Sequence, residues 1–138
     1  MRASRSLLLW AVTMFAASSA HAQPGQDELS VVADARGTYH VDSRFFVETS
    51  SAAAWEVLTD YDRIETFVPS VKRSEITERL ERGLLLEQAW SAKVLFISRT
   101  FHVLLAIQED PGTEIRFRDL SHRNFELYEG SWRIEPAP

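Results

Sequence analysis

Residues 49–72, TSSAAAWEVLTDYDRIETFVPSVK, constrain the fold more than any other part of the chain. Ser50 and Ser51 are good helix N-caps, because a serine hydroxyl accepts from the free amides of a first turn. The alanines that follow carry no helix penalty. Ala54, Trp55, Leu58 and Tyr61 then recur at three- and four-residue spacing, which sets them along one face. After Asp60 the pattern stumbles. A second short turn carries Ile64, Phe67 and Val68 before Pro69 forbids more helix. Downstream of Pro69 the chain alternates like β-strand. A short aromatic-faced helix pair ahead of many strands needs a sheet to pack on.

The strands are read as follows. A first strand spans 37–48, before the helices, with a polar lead-in over 23–36 that contains Pro24 and Gly25. A charged strand at 71–81 suits a sheet edge. Residues 84–92 put Leu84, Leu86, Gln88, Trp90 and Ala92 on one face, and 99–109 put Phe101, Val103, Leu105 and Ile107 on one face. Asp110-Pro111-Gly112 is a turn signal. Residues 114–120 alternate Ile115 and Phe117 with Arg116 and Arg118, and 125–135 set Tyr128, Gly130, Trp132 and Ile134 together. Six strands with short links predict an α+β fold with an antiparallel meander.

The amino terminus reads as an export signal: Arg2 and Arg5, an apolar run over 7–17, and the small-x-small pattern Ala20-His21-Ala22. Cleavage after Ala22 and a periplasmic or secreted location are expected, leaving 116 of the 138 residues. Losing Arg2 and Arg5 takes the bases from 15 to 13 against 20 acids, a net charge of −7. So acidic a domain has no electrostatic footprint for nucleic acid or for anionic lipid surfaces, and contact with a membrane is expected only transiently. With no cysteine, thiolate metal sites and disulfides are excluded.

The helix pair cannot cover a six-stranded sheet: about 20 residues give ~30 Å of helix. Trp90, Phe101, Phe117 and Trp132 are then expected to leave a large apolar face open, which soluble monomers rarely tolerate. An apolar ligand, a partner subunit or a further C-terminal segment must fill it, and the last is the reading favoured from the sequence.

The order and type of residues 50–72 resemble the opening helices of the polyketide cyclase/dehydrase and lipid-transport family. That family lies within the START-related (SRPBCC) helix-grip superfamily, which includes coenzyme Q-binding proteins. Residues 84–88 (LLLEQ), 98–101 (SRTF) and 129–136 (EGSWRIEP) are similar to it in the same order. The resemblance covers 37–138. It implies a curved antiparallel sheet, the helix pair between strands 1 and 2, and a long C-terminal helix gripped over an apolar cavity. On that resemblance, the last strand and the long C-terminal helix are expected to be missing from these 138 residues.

Gln88, Trp90, Phe101, Val103, Leu105, Phe117, Tyr128 and Trp132 are the candidate ligand-binding residues: an apolar wall with one amide to orient a carbonyl or hydroxyl. Residue by residue, plain core packing competes with this reading. Asp60 and Asp62 lack the glycine and further oxygens of a calcium loop, so one or the other is read as the cap of the second helical turn, with Tyr61 packed inward. His40, His102 and His122 show no metal-ligand spacing, and no nucleophile elbow or phosphate loop occurs. Arg99, Arg116, Arg118 and Arg123 are expected to pair with Glu87, Glu114 or Glu126. No catalytic residue, metal or cofactor is assigned. The leading expectation is an exported carrier of a small hydrophobic ligand (a lipid, quinone or polyketide-like molecule). The rivals are a cyclase or dehydratase drawing on Gln88, His102 or Tyr128, and a protein-interaction module that docks a partner on its apolar sheet face.

Overall fold

The computed structural model describes residues 28–136, so the expected signal over 1–22 lies outside the described residues. The chain divides into two compact units that meet between Thr49 and Ser50.

The first unit is a hairpin of β1 (Glu28–Ala33) and β2 (Tyr39–Arg44), antiparallel with Val31 opposite Val41. Its turn is built by Asp34, whose Oδ1 accepts from the amides of Arg36 at 2.8 Å and Thr38 at 3.0 Å. Gly37 completes it at φ 82°, a left-handed conformation that suits glycine. Two expectations are corrected here. The lead-in over 23–36 contains a strand, and the strand expected over 37–48 is shorter and pairs with it in a two-stranded sheet of its own. The meander therefore has five strands, because a local turn recruits β2 first.

The second unit opens with α1 (Ser51–Leu58), capped as the sequence implies: Ser50 Oγ accepts from the Ala53 amide at 3.1 Å. A 3₁₀ turn (Tyr61–Arg63) and α2 (Ile64–Phe67) follow and stop ahead of Pro69. No residue of α1 is fully buried. The buried side chains are Tyr61, Ile64 and Val68, so the second turn, and not the Trp55–Leu58 face, anchors the helices.

β3 (Val71–Leu80), β4 (Gly83–Val94), β5 (Ile97–Asp110), β6 (Glu114–Asp119) and β7 (Glu129–Arg133) pair in chain order. Gly83 is required in the β3–β4 turn: its φ is 129° and a Cβ there would overlap the carbonyl oxygen of Ile107. β3 is the edge strand foreseen, and two bulges interrupt its pairing. The helix pair covers that edge with charge. Asp62 Oδ1 accepts from the Ile76 amide at 2.8 Å and Glu65 Oε2 from the Ser74 amide at 3.1 Å. Neither Asp60 nor Asp62 caps the second helical turn as expected: Asp60 makes no side-chain cap and instead pairs with Arg63.

Cross-strand register puts Leu84, Leu86, Trp90 and Ala92 of β4 on one face with Phe101, Val103, Leu105 and Ile107 of β5, all buried. This is the core. The opposite face carries ion pairs, Arg118–Glu129 at 2.7 Å, Arg133–Glu114 at 3.1 Å, Arg116–Asp110 at 3.1 Å and the expected Arg116–Glu114 at 3.7 Å, so the expected pairing occurs at Glu114 and otherwise with other acids.

Candidate functional site

Seven of the eight candidates lie on the inner sheet face: Gln88 and Trp90 on β4, Phe101, Val103 and Leu105 on β5, Phe117 on β6 and Trp132 on β7. Register fixes the placement, with Trp90 opposite Phe101, Gln88 opposite Val103, Phe117 opposite Ile107 and Trp132 opposite Ile115. The eighth, Tyr128, is not in a strand. The strand expected over 125–135 is confined to Glu129–Arg133, and the residues before it form a loop.

That loop answers the problem of the open face. Phe125 lies in near-parallel stacks on Trp90 and Phe101, with ring centres 6.1 and 5.9 Å away, and Trp90 and Phe101 themselves stack at 4.6 Å. Phe125 also stacks on Tyr128 at 5.0 Å, and Tyr128 meets Phe117 at 5.6 Å. The result is one aromatic wall from Trp90 to Phe117. Trp90 and Phe101 are buried and Phe117 and Trp132 half-buried, so the expected large exposed surface is reduced by this loop. Gly130 makes room for the wall: a Cβ there would come within 2.7 Å of the Phe117 ring.

The loop is held by Asp119. Alternation with Ile115 and Phe117 turns its side chain to the inner face, opposite Leu105, and the residue is 2% exposed. Its Oδ1 accepts from the Leu104 amide at 3.0 Å, the Ser121 amide at 2.9 Å and the Ser121 hydroxyl at 2.8 Å. Oδ2 is buried with no protein donor. Burial by itself would push the Asp119 carboxyl up. The amide and hydroxyl of Ser121, with the amides of Leu104 and His122, outweigh it and hold the carboxyl below its ordinary value, hence ionised. Burial first, and then the Asp119 charge, push the Tyr128 phenol up, so it stays a neutral donor.

Two further polar contacts reach this face. Gln88 Nε2 donates to Ser74 Oγ at 3.1 Å, which fixes the amide expected to orient a ligand. Tyr61 of the 3₁₀ turn donates to Glu109 Oε1 at 2.7 Å. Burial, then this bond and the Glu109 charge, raise the Tyr61 phenol.

Of the polar groups weighed for catalysis, His102 faces the other way, opposite Ala89, and is exposed. A depression on that outer side, about 260 Å³, is lined by Glu87, His102, Leu104, Ser121 and Arg123. It is smaller than ordinary ligand pockets of ~300–1,000 Å³. Among the described residues no cluster of three or more His, Asp or Glu has metal-binding geometry.

Asp119 and Phe125 are the functional candidates that sequence reasoning missed. The acid closing the alternation Ile115, Phe117, Asp119 was a visible signal. Phe125 sits in a loop whose course periodicity does not encode.

Chemically, the inner face groups an apolar aromatic wall with a phenol and an oriented amide around a buried carboxylate. Apolar linings with a few polar groups suit mostly hydrophobic molecules. No curated protein and no solved structure matches the chain significantly. The family described as polyketide cyclase / dehydrase and lipid transport matches residues 47–138, which takes in the helix pair, the whole five-stranded sheet and the aromatic wall. The chain belongs to that family.

Proposed function

We propose that the chain is a binding or transfer protein for a small hydrophobic ligand, a lipid, quinone or polyketide-like molecule, held against the inner sheet face in a helix-grip arrangement without covalent chemistry. The continuous aromatic wall of Trp90, Phe101, Phe125, Tyr128 and Phe117 carries this reading. Family membership supports hydrophobic ligands as the class. Burial supplies the affinity, at ~0.8 kcal/mol per methylene removed from water. The amino-terminal signal pattern supports export to the periplasm, where a carrier moves molecules that water will not dissolve.

The test is solvent extraction and mass spectrometry of the protein recovered from its own host, with Phe101→Ala as the control. The parent chain should yield an apolar molecule that the variant lacks. A protein isolated empty, which also takes up no lipid or quinone offered in detergent, rules the carrier out. A cyclase or dehydratase is the second reading, favoured by one observation: the ionised Asp119 and neutral Tyr128 flank the same wall. Turnover of a poly-β-keto substrate, lost in Asp119→Asn, would select it.

A further inference from the structure

The tip of the β4–β5 hairpin is built against the ordinary rules for such a turn. Val94 pairs with Ile97, which leaves Leu95-Phe96 as a two-residue loop. Loops of this length favour Asn-Gly or a leading glycine, because the first position needs positive φ. Here Leu95 takes φ 59°. Leu95 is 90% exposed, Phe96 103% and Ile97 66%. Local strain and three consecutive exposed apolar side chains at one point are two costs with no return inside the fold. Such violations concentrate where function requires them.

The charges around the tip show what it fits. In a chain of net charge −5, no Asp or Glu occurs between Glu87 and Glu109, and that span carries Lys93 and Arg99. Arg99 lies opposite Ala92, on the inner side, and Lys93 opposite Ser98, on the outer side. Both are exposed. Among the described residues neither forms an ion pair; Lys72 and Arg79 of β3 form none either, whereas Arg73, Arg116, Arg118 and Arg133 elsewhere on the sheet do. Each base stands three residues behind Phe96, about 10 Å at the rise of a strand. Interfacial elements enter a bilayer by roughly 5–10 Å, so with the tip in the acyl boundary both bases reach the phosphates.

We propose that this hairpin tip is a membrane-docking wedge: Leu95, Phe96 and Ile97 enter the surface of an anionic bilayer while Lys93 and Arg99 hold its headgroups from the two faces of the ribbon. The net charge hides this, because the acids lie elsewhere. A protein groove would also accept apolar residues, but the flanking of the tip by one unpaired base on each side matches a planar anionic surface.

The experiment is flotation of the full chain with phosphatidylcholine vesicles, with and without phosphatidylglycerol. The parent chain should float with the anionic vesicles and not with the neutral ones. Replacing both bases (Lys93→Ala with Arg99→Ala) should weaken partitioning about thirtyfold, roughly fivefold per base. Leu95→Gly with Phe96→Asn supplies the leading glycine preferred where only the first position has positive φ, so it should melt at or above the parent's temperature while flotation is lost. Parent chain that stays unbound, or a Gly-Asn variant that floats as well as the parent, overturns the proposal. So does an oligomer that dissolves in that variant with no vesicle binding by either. Ligand extraction reads independently: vesicle binding by an empty protein would refute the carrier and leave the wedge standing.

Discussion

At the scale of the residue, Asp119 joins stability to the site. Its Oδ1 takes three hydrogen bonds that turn the chain from β6 into the loop bearing Phe125 and Tyr128. Asp119→Ala leaves the Leu104 and Ser121 amides without an acceptor, and buried donors left so cost about 1–3 kcal/mol each at most. Thermal unfolding should show a loss of about ten degrees or more, at ~4–8 °C per kcal/mol for a domain of this size. The sign of the pH dependence follows from a folded pKa held below the unfolded value. Its contribution is fully present above about pH 4, the unfolded carboxyl range, and is lost as pH falls through the lower folded value. Asp119→Asn keeps an acceptor at Oδ1 but cannot titrate. It should flatten this part of the acid limb of a stability-against-pH curve, and an unchanged limb would remove Asp119 from the account.

At the scale of the element, the helix pair serves mainly to finish the sheet. Asp62 and Glu65 occupy the outward amides of β3, where an uncovered edge would template pairing with another chain. Asp62→Ala with Glu65→Ala should therefore give larger species than the parent in size-exclusion chromatography at high concentration, with far-UV dichroism unchanged. The same elements show what the sequence discloses. The faces of β4 and β5 were legible because both strands are long and alternate cleanly, and β3 was legible as an edge from its charges. Ser50 and Pro69 bounded the helices correctly. Pairing was less legible than periodicity: β1 was read as lead-in because Glu28–Ala33 is short and its partner is chosen by the Asp34 turn. Alternation predicts a strand already at Tyr128, yet the Asp119 turn delays β7 to Glu129. The candidate wall followed the same division: spacing placed its strand residues on one face, and its loop residue Phe125 was missed.

At the scale of the whole molecule, the sheet holds a folded core of its own and an aromatic wall on which the proposed ligand would rest. Leu86 and Val103 are almost fully buried by the chain's own packing. Binding acts by mass action on top of it: a ligand that binds only the folded chain adds ~2.7 kcal/mol at a hundredfold excess over its Kd. By the same conversion of ~4–8 °C per kcal/mol, the loaded chain should melt more than ten degrees above the extracted one. The increment depends on ligand concentration, which separates it from a fixed structural effect. Trp90→Ala tests where it arises. That variant starts lower, because a buried aromatic truncation costs about 3–5 kcal/mol. Its melting temperature should also stop rising as ligand is added, since Phe101 and Phe125 lose the ring both stack upon. A Trp90→Ala chain that gains as much as the parent from the same ligand would move the site off this wall altogether.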